Sequence, residues 1–261
     1  MIINLFCDAS INTTLKIACA GCVTVFQDNS LVDGSGFDRL ELRGRKALIQ
    51  HDATNNSAEI LAIWIGVVEA LHLRSRYPFA TFRLFSDSKI SLYGMRDWIR
   101  SWILKMEEEG SDTLITSSGS PVMNQQTFID IFNLIVENNL KIEFYHQRGH
   151  VGYGPNQVFK ARSDFIKANK VMPENMGIRM SDLCKFNNMV DDYTRLIVTD
   201  YVDKKFTLPN SPDVGIAYAT PMDFVIRKDQ LINYCRLINR TSVGNRKDSV
   251  NFGGRNDGTE Y

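Results

Sequence analysis

Five strand-like apolar runs lie between residues 2 and 145, and the connections between them change character halfway along. Ile2–Cys7, Lys16–Phe26 and Arg39–Ala47 are joined only by short polar segments containing Asn12-Thr13-Thr14 and Asp33-Gly34-Ser35-Gly36. Links that short make three consecutive strands antiparallel neighbours. The fourth and fifth runs, Thr81–Ser86 and Lys141–Tyr145, are each reached through a helix-length connection. From Ser57 to about Leu73 the apolar residues Ile60, Leu61, Trp64, Val67, Val68 and Leu71 recur at helical spacing, and Asn56 is placed as the N-cap. A strand, a helix and a further strand imply parallel pairing. The expectation is therefore an α/β fold with a five-stranded mixed sheet, three strands antiparallel and then two parallel, flanked by helices.

Two of these runs end on aspartates. Asp8 follows Ile2–Cys7 and Asp87 follows Thr81–Ser86, so if the two strands lie side by side both carboxylates emerge where parallel strands finish. Glu59 opens the helix that follows Thr54-Asn55-Asn56, and Asp164 lies on a later polar helix. Carboxylates crowded at one sheet edge repel one another unless cations neutralise them. Hard oxygen ligands favour Mg²⁺ or Mn²⁺, and the chemistry such a site supports is metal-assisted phosphoryl transfer. Each residue also has a structural alternative: Asn56 with Glu59 would make a capping box, and Asp87 would cap the helix that begins at Ser88.

Net charge is zero over 261 residues, so no global positive field recruits nucleic acid and any such contact must come from a local patch. The five cysteines are sparse and mostly in apolar runs, which reads as reduced thiols in a cytoplasmic protein. Cys19-Ala20-Gly21-Cys22 lies in strand-like sequence without a second ligand pair to complete a zinc site. The apolar run Ile60–Val68, bounded by Glu59 and Glu69, is too short to span a bilayer, so no membrane partner is expected.

Several segments, in order, resemble ribonuclease H type 1 over roughly residues 2 to 169. Phe6-Cys7-Asp8-Ala9-Ser10 is similar to that family's strand-end Asp-Gly-Ser, and Ala20-Gly21-Cys22-Val23 to its glycine-bearing second strand. Thr54-Asn55-Asn56-Ser57-Ala58-Glu59 resembles the segment that supplies the second carboxylate and two substrate-touching asparagines. Asp87-Ser88, then Gly94, Trp98-Ile99 and Trp102, then Pro121-Val122 and Asn124, resembles the third carboxylate followed by the protruding handle of bacterial members. Arg148-Gly149-His150 with Asn156 and Ser163-Asp164 resembles the histidine loop and the fourth carboxylate.

The resemblance implies the RNase H-like fold and hydrolysis of the RNA strand of an RNA–DNA hybrid with two Mg²⁺ ions, Mn²⁺ being a possible substitute. It implies that Asp8, Glu59, Asp87 and Asp164 ligate metal, with Asp8 bridging the two ions, and that His150 assists proton transfer or product release. Ser10, Asn12, Asn55, Asn56, Lys89 and Trp98 would contact the hybrid. The alternatives are a non-catalytic hybrid- or RNA-binding module on the same fold, or a related nuclease with another nucleic-acid substrate.

The sequence departs from the family pattern in three places. His150 and Asp164 are further apart than in compact bacterial enzymes, which leaves Asp130 and Glu143 as substitutes for the fourth carboxylate. The handle continues Ile103-Leu104-Lys105-Met106-Glu107-Glu108-Glu109, acidic where bacterial enzymes are basic. The loop after Asp8 lacks the family's Gly- and Pro-rich turn. Beyond a catalytic domain of residues 1–169, residues 170–240 are expected to form a helical extension, with helices around Ser181–Asp200 and Pro221–Asn239. Its basic cluster Arg227-Lys228, Arg236 and Arg240 could dock a protein or nucleic acid. Residues 241–261, rich in Gly, Asn and charge, are expected to be a flexible tail.

Overall fold

The computed structural model describes residues 1–204 and the backbone of a two-residue strand at 215–216. The helix expected around Pro221–Asn239, the basic cluster at 227–240 and the tail at 241–261 lie outside the described residues. The elements are β1 (Ile2–Asn12), β2 (Ile17–Val32), β3 (Asp38–Gln50), α1 (Asn55–Arg74), β4 (Thr81–Ser86), α2 (Lys89–Tyr93), α3 (Ile99–Glu108), α4 (Gln125–Glu137), β5 (Ile142–His146), α5 (Pro155–Asn169), α6 (Met180–Val202) and β6 (Gly215–Ile216). They build one mixed sheet in the order β5-β4-β1-β2-β3-β6. The first three strands are antiparallel, and β4 and β5 join β1 in parallel. This is the expected five-stranded arrangement, with the short β6 pairing in parallel with Lys46–Ala47 at the edge.

Strand periodicity divides the core into two layers. Ile3, Leu5, Cys7, Ala20 and Cys22 pack with α1 and α4 on one face, whereas Phe6, Val23, Val25 and Phe85 pack with α5 and α6 on the other. Side chains alternate along a strand, so Cys19 and Cys22, three residues apart, belong to opposite faces and cannot share one ion. Four cysteines of the described part are free and buried. Helix α6 contributes Leu183, Cys184, Phe186 and Val190 to the same core as the sheet, which makes the core continuous across residue 169. Gly21 on β2 permits this approach, because a Cβ there would stand 2.5 Å from Thr194 Cγ2 of α6.

The strands and helices depart from the sequence expectations in ways that matter for the site. Asp8 does not end β1; the strand continues to Asn12 because β2 keeps pairing with it through Asn12↔Ile17. Parallel pairing with β4, in contrast, stops at Phe6↔Phe85, so the two strands have parted where Asp8 and Asp87 emerge. The N-cap of α1 is Thr54, which forms a reciprocal capping box with Ser57. Neither Asn56 nor Glu59 is therefore used in capping. Similarly Ser88, not Asp87, caps α2, its hydroxyl accepting the Ser91 amide.

Helix α1 extends beyond the apolar run on both sides to 20 residues. By length and composition it could cross a bilayer, yet 56% of its most apolar window is buried inside the protein, as in a core helix. The helix that begins after Ser88 is α2, joined to α3 by a π-helical turn, Gly94–Trp98. That turn leaves Trp98 39% exposed while Trp102 is buried.

Candidate active site

Three carboxylates from three separate elements converge where β1 and β4 part. Asp8 comes from β1, Asp87 from the residue after β4, and Glu59 from the N-terminal part of α1. One oxygen or more of each lies within 4.8 Å of the others. Burial raises all three, and repulsion within the trio adds to it at Asp8 and Glu59. Asp8, 5% exposed, is pushed up to about 9 by burial and then by the charges of Asp87 and Glu59. Burial and Asp87 raise Glu59 to about 8. Asp87 is also raised, mainly by burial. Few donors compensate: Asp8 Oδ1 accepts the Ala9 amide at 2.8 Å, and the buried Glu59 Oε2 has no hydrogen-bond partner among the described residues.

Asp8 and Glu59, raised to about 9 and about 8, hold protons at neutral pH unless a cation replaces them. The donor set is all oxygen and anionic, it leaves a buried acceptor without a partner, and it fits a hard divalent ion. The loop after β5 closes the site from one side. The Gln147 amide donates to Ser86 O at 2.9 Å, and Gly149 lies directly on Asp87, where a Cβ would come within 1.8 Å of Oδ2. Only glycine allows the loop to pass there.

Asp164 does not join the other three carboxylates. It sits on α5 with an ion pair to Arg148 at 2.7 Å, both side chains 44% exposed. The substitutes weighed from sequence are elsewhere too. Asp130 accepts from Gln126 on α4, and Glu143 pairs with Arg83 and Tyr145 on β5. The acidic group that does reach the site is Asp191 of α6. Its charge raises both Asp8 and Asp87, and its Oδ2 is 3.2 Å from Nδ1 of His150. His150 has φ +51° and an imidazole 79% exposed at the rim. Sequence reasoning passed over Asp191, although a signal existed. It lies four residues after Asn187 and seven after Cys184, on the margin of the buried stripe of α6. A carboxylate beside the buried stripe of an amphipathic helix needs a reason to be there.

The predicted substrate-contact residues are distributed around this centre. Asn55 and Asn56 are exposed on the first turn of α1, the turn before Glu59. Lys89 is exposed two residues beyond Asp87. Trp98 continues an aromatic row, 6.0 Å from Tyr93 and 5.8 Å from Trp102 between ring centroids. Ser10 and Asn12 are engaged within the protein: Thr194 donates to Ser10 Oγ at 3.3 Å, and Asn12 Oδ1 accepts the Leu15 amide at 2.9 Å in the β1–β2 turn. Next to Asp87, a cleft of about 650 Å³ opens between α2 and α5. His146 lines it, with Nε2 3.2 Å from the Asp87 carbonyl; burial lowers its pKa.

Comparison with known proteins gives a consistent assignment. The family model for RNase H matches residues 2–161. The chain is 31% identical over 124 residues to a protein named ribonuclease H from Paracidovorax citrulli, covering 48% of this chain and 71% of that protein. It is 27% identical over 105 residues to one of the same name from Tropheryma whipplei, covering 40% and 56%. The chain thus spans little more than half the length of the latter relative. Among solved structures, LC11-RNase H1 in complex with an RNA/DNA hybrid aligns at a TM-score of 0.37 and 13% identity, over 69% of this chain and 99% of that one.

Proposed function

This chain belongs to the RNase H family, and from that premise we propose that it is an endonuclease hydrolysing the RNA strand of RNA–DNA hybrids with divalent metal held at Asp8, Glu59 and Asp87. The observation that carries this reading is the set of three mutually repelling carboxylates, raised by burial and left with a partnerless buried oxygen. A non-catalytic binder would gain nothing from anions placed where phosphates approach.

Two divalent ions, Mg²⁺ or Mn²⁺, would supply the charge that activates the attacking water and stabilises the leaving oxygen. Asp191, in place of the sequence-predicted Asp164, supplies the fourth carboxylate at the rim. Its Oδ2, 3.2 Å from Nδ1 of His150, holds the imidazole at the rim of the site, within reach of a proton to be moved there. Gly149, having no side chain, leaves room for the Asp87 carboxylate under the loop. Asn55 and Asn56 offer amides beside Glu59 to the 2′-hydroxyls that distinguish RNA from DNA. Lys89 takes a phosphate, and the exposed face of Trp98 takes a sugar or base.

The test is cleavage of a labelled hybrid in Mg²⁺ or Mn²⁺, with RNA duplex and DNA duplex as controls, comparing the native chain with Asp8→Asn. Metal-dependent cuts confined to the RNA strand of the hybrid, and lost in the variant, are expected. Tight binding without cutting in either metal would replace the enzyme by a binding module.

A further inference from the structure

The RNase H handle is acidic in this chain, and the run Glu107-Glu108-Glu109 at the C-terminal end of α3 repels phosphates. The structure offers cations instead in the cleft beside Asp87. The cleft beside Asp87 is walled on one side by α2 and on the other by α5, the helix that lengthens the connection after His150. Lys89 enters it from α2, Arg148 from the loop after β5, and Lys167 from α5.

This wall is firmly attached. Asn169, the last residue of α5, accepts the His146 amide at 2.8 Å and Arg96 Nη1 at 3.2 Å, and donates to the carbonyls of His146 at 2.8 Å and Phe165 at 3.0 Å. One side chain thus ties α5 to the end of β5 and to the π-helical turn of the handle. Phe165 and Ala161 anchor the rest of the helix in the core. The cleft is a fixed channel leading away from the carboxylates, and the anion inside it, Asp164, already occupies Arg148.

We propose that this cleft binds the phosphodiester backbone of the nucleic acid next to the cleavage site, through Lys167 and Arg148, and that Asp164 is an internal stand-in for phosphate that the substrate displaces from Arg148. The proposal rests on the hybrid-cleaving reading of the adjoining carboxylates and deepens it. Helix α5 performs the electrostatic task that the acidic handle has lost. Asp164 then acts as a threshold: an isolated phosphate competes poorly with a tethered carboxylate, whereas a polyanion that also meets Lys89 and Lys167 displaces it.

The experiment measures hybrid binding by fluorescence anisotropy across a salt series, with Lys167→Glu and Asp164→Asn each placed in the Asp8→Asn background of the full chain so that the hybrid is not consumed. Cleavage is followed in parallel with Asp8 intact. Lys167→Glu should weaken binding about tenfold near physiological salt and reduce the salt slope by about one to two. Asp164→Asn should move the other way, tightening binding about threefold with Mg²⁺ binding unchanged. Both variants remaining within about twofold of their parent at an unaltered slope would overturn the cleft proposal. So would loss of Mg²⁺ binding in Asp164→Asn, which would make Asp164 a metal ligand. If the unsubstituted chain cuts hybrid while these variants bind like their parent, the activity stands and the cleft assignment falls. If it neither binds nor cuts hybrid, both fall.

Discussion

Without metal, the carboxylate cluster should cost the protein stability, and the cost should grow with pH. Asp8 has a folded-state value of about 9, against roughly 3.9 for an unperturbed aspartate. Below pH ~4 the carboxyl is protonated in both states and costs nothing. As pH rises the unfolded chain loses the proton while the folded chain keeps it, so stability falls by up to ~1.4 kcal/mol per pH unit. By pH 7 the difference is about three units, an upper bound of ~4 kcal/mol for this one group.

Asp8→Asn removes the ionisation, keeps the shape and still offers an oxygen to the Ala9 amide. In chelator the variant should therefore be more stable than the native chain, by a margin that is near zero at pH 4 and grows with pH up to the folded-state value of about 9. For a folded part of this size, each kcal/mol moves Tm by roughly 2–4 °C. Thermal unfolding monitored by circular dichroism, at four pH values with chelator and again with Mg²⁺, measures the effect. Mg²⁺ should narrow the margin at pH 7, because a ligand at a hundred times its Kd adds ~2.7 kcal/mol to a protein that binds it and nothing to one that does not. A margin independent of pH, or an Asp8→Asn chain less stable than the native one at pH 7 in chelator, would refute the view that the cluster is an electrostatic strain awaiting a cation.

Protons and metal compete for the same oxygens, so Mg²⁺ affinity should increase from pH 6 to 8 and level off above the value of about 9 for Asp8. Calorimetry in buffers of different ionisation enthalpy should register proton release on binding. Gly149→Ala places a methyl against the Asp87 carboxylate; the displaced ligand should lower kcat about a hundredfold while Tm hardly changes. Asp191→Asn should weaken metal binding or activity by about 10–100-fold. That loss, set beside unchanged Mg²⁺ binding in Asp164→Asn, would fix which acidic residue belongs to the metal centre.

The sheet was legible in the sequence because strand pairing follows from local pattern and connection length, both of which are written along the chain. The three converging carboxylates were legible for the same reason. Asp8 and Asp87 mark parallel runs, and Glu59 follows its helix start at a fixed distance. Details governed by competition were less so. Thr54 and Asn56 are both good caps three residues from a polar side chain, and only packing of Ala58 and Ile60 into the core selects the first. How far β1 outruns β4 depends on β2, a neighbour that no local window contains.

Asp164 stands apart from the other three carboxylates for a more specific reason. The family resemblance put the fourth carboxylate at Ser163-Asp164, on the first helix after His150. The chain, however, has placed a whole helix between the histidine loop and the helix that closes the core. Helix α5 takes the outer position, pinned by Asn169, and the site-facing position passes to α6. The buried stripe of α6, Leu183, Asn187, Val190 and Thr194, requires α6 to lie against the sheet, because leaving Leu183, Cys184, Phe186 and Val190 in water would cost roughly 1.5–3 kcal/mol for each large side chain. No comparable stripe drives α5, which buries only Ala161 and Phe165. Hydrophobic burial therefore decides which helix faces the carboxylates, and the acidic residue carried by the winner, Asp191, comes with it. Asp164, left on the outer helix, pairs with Arg148 in the cleft.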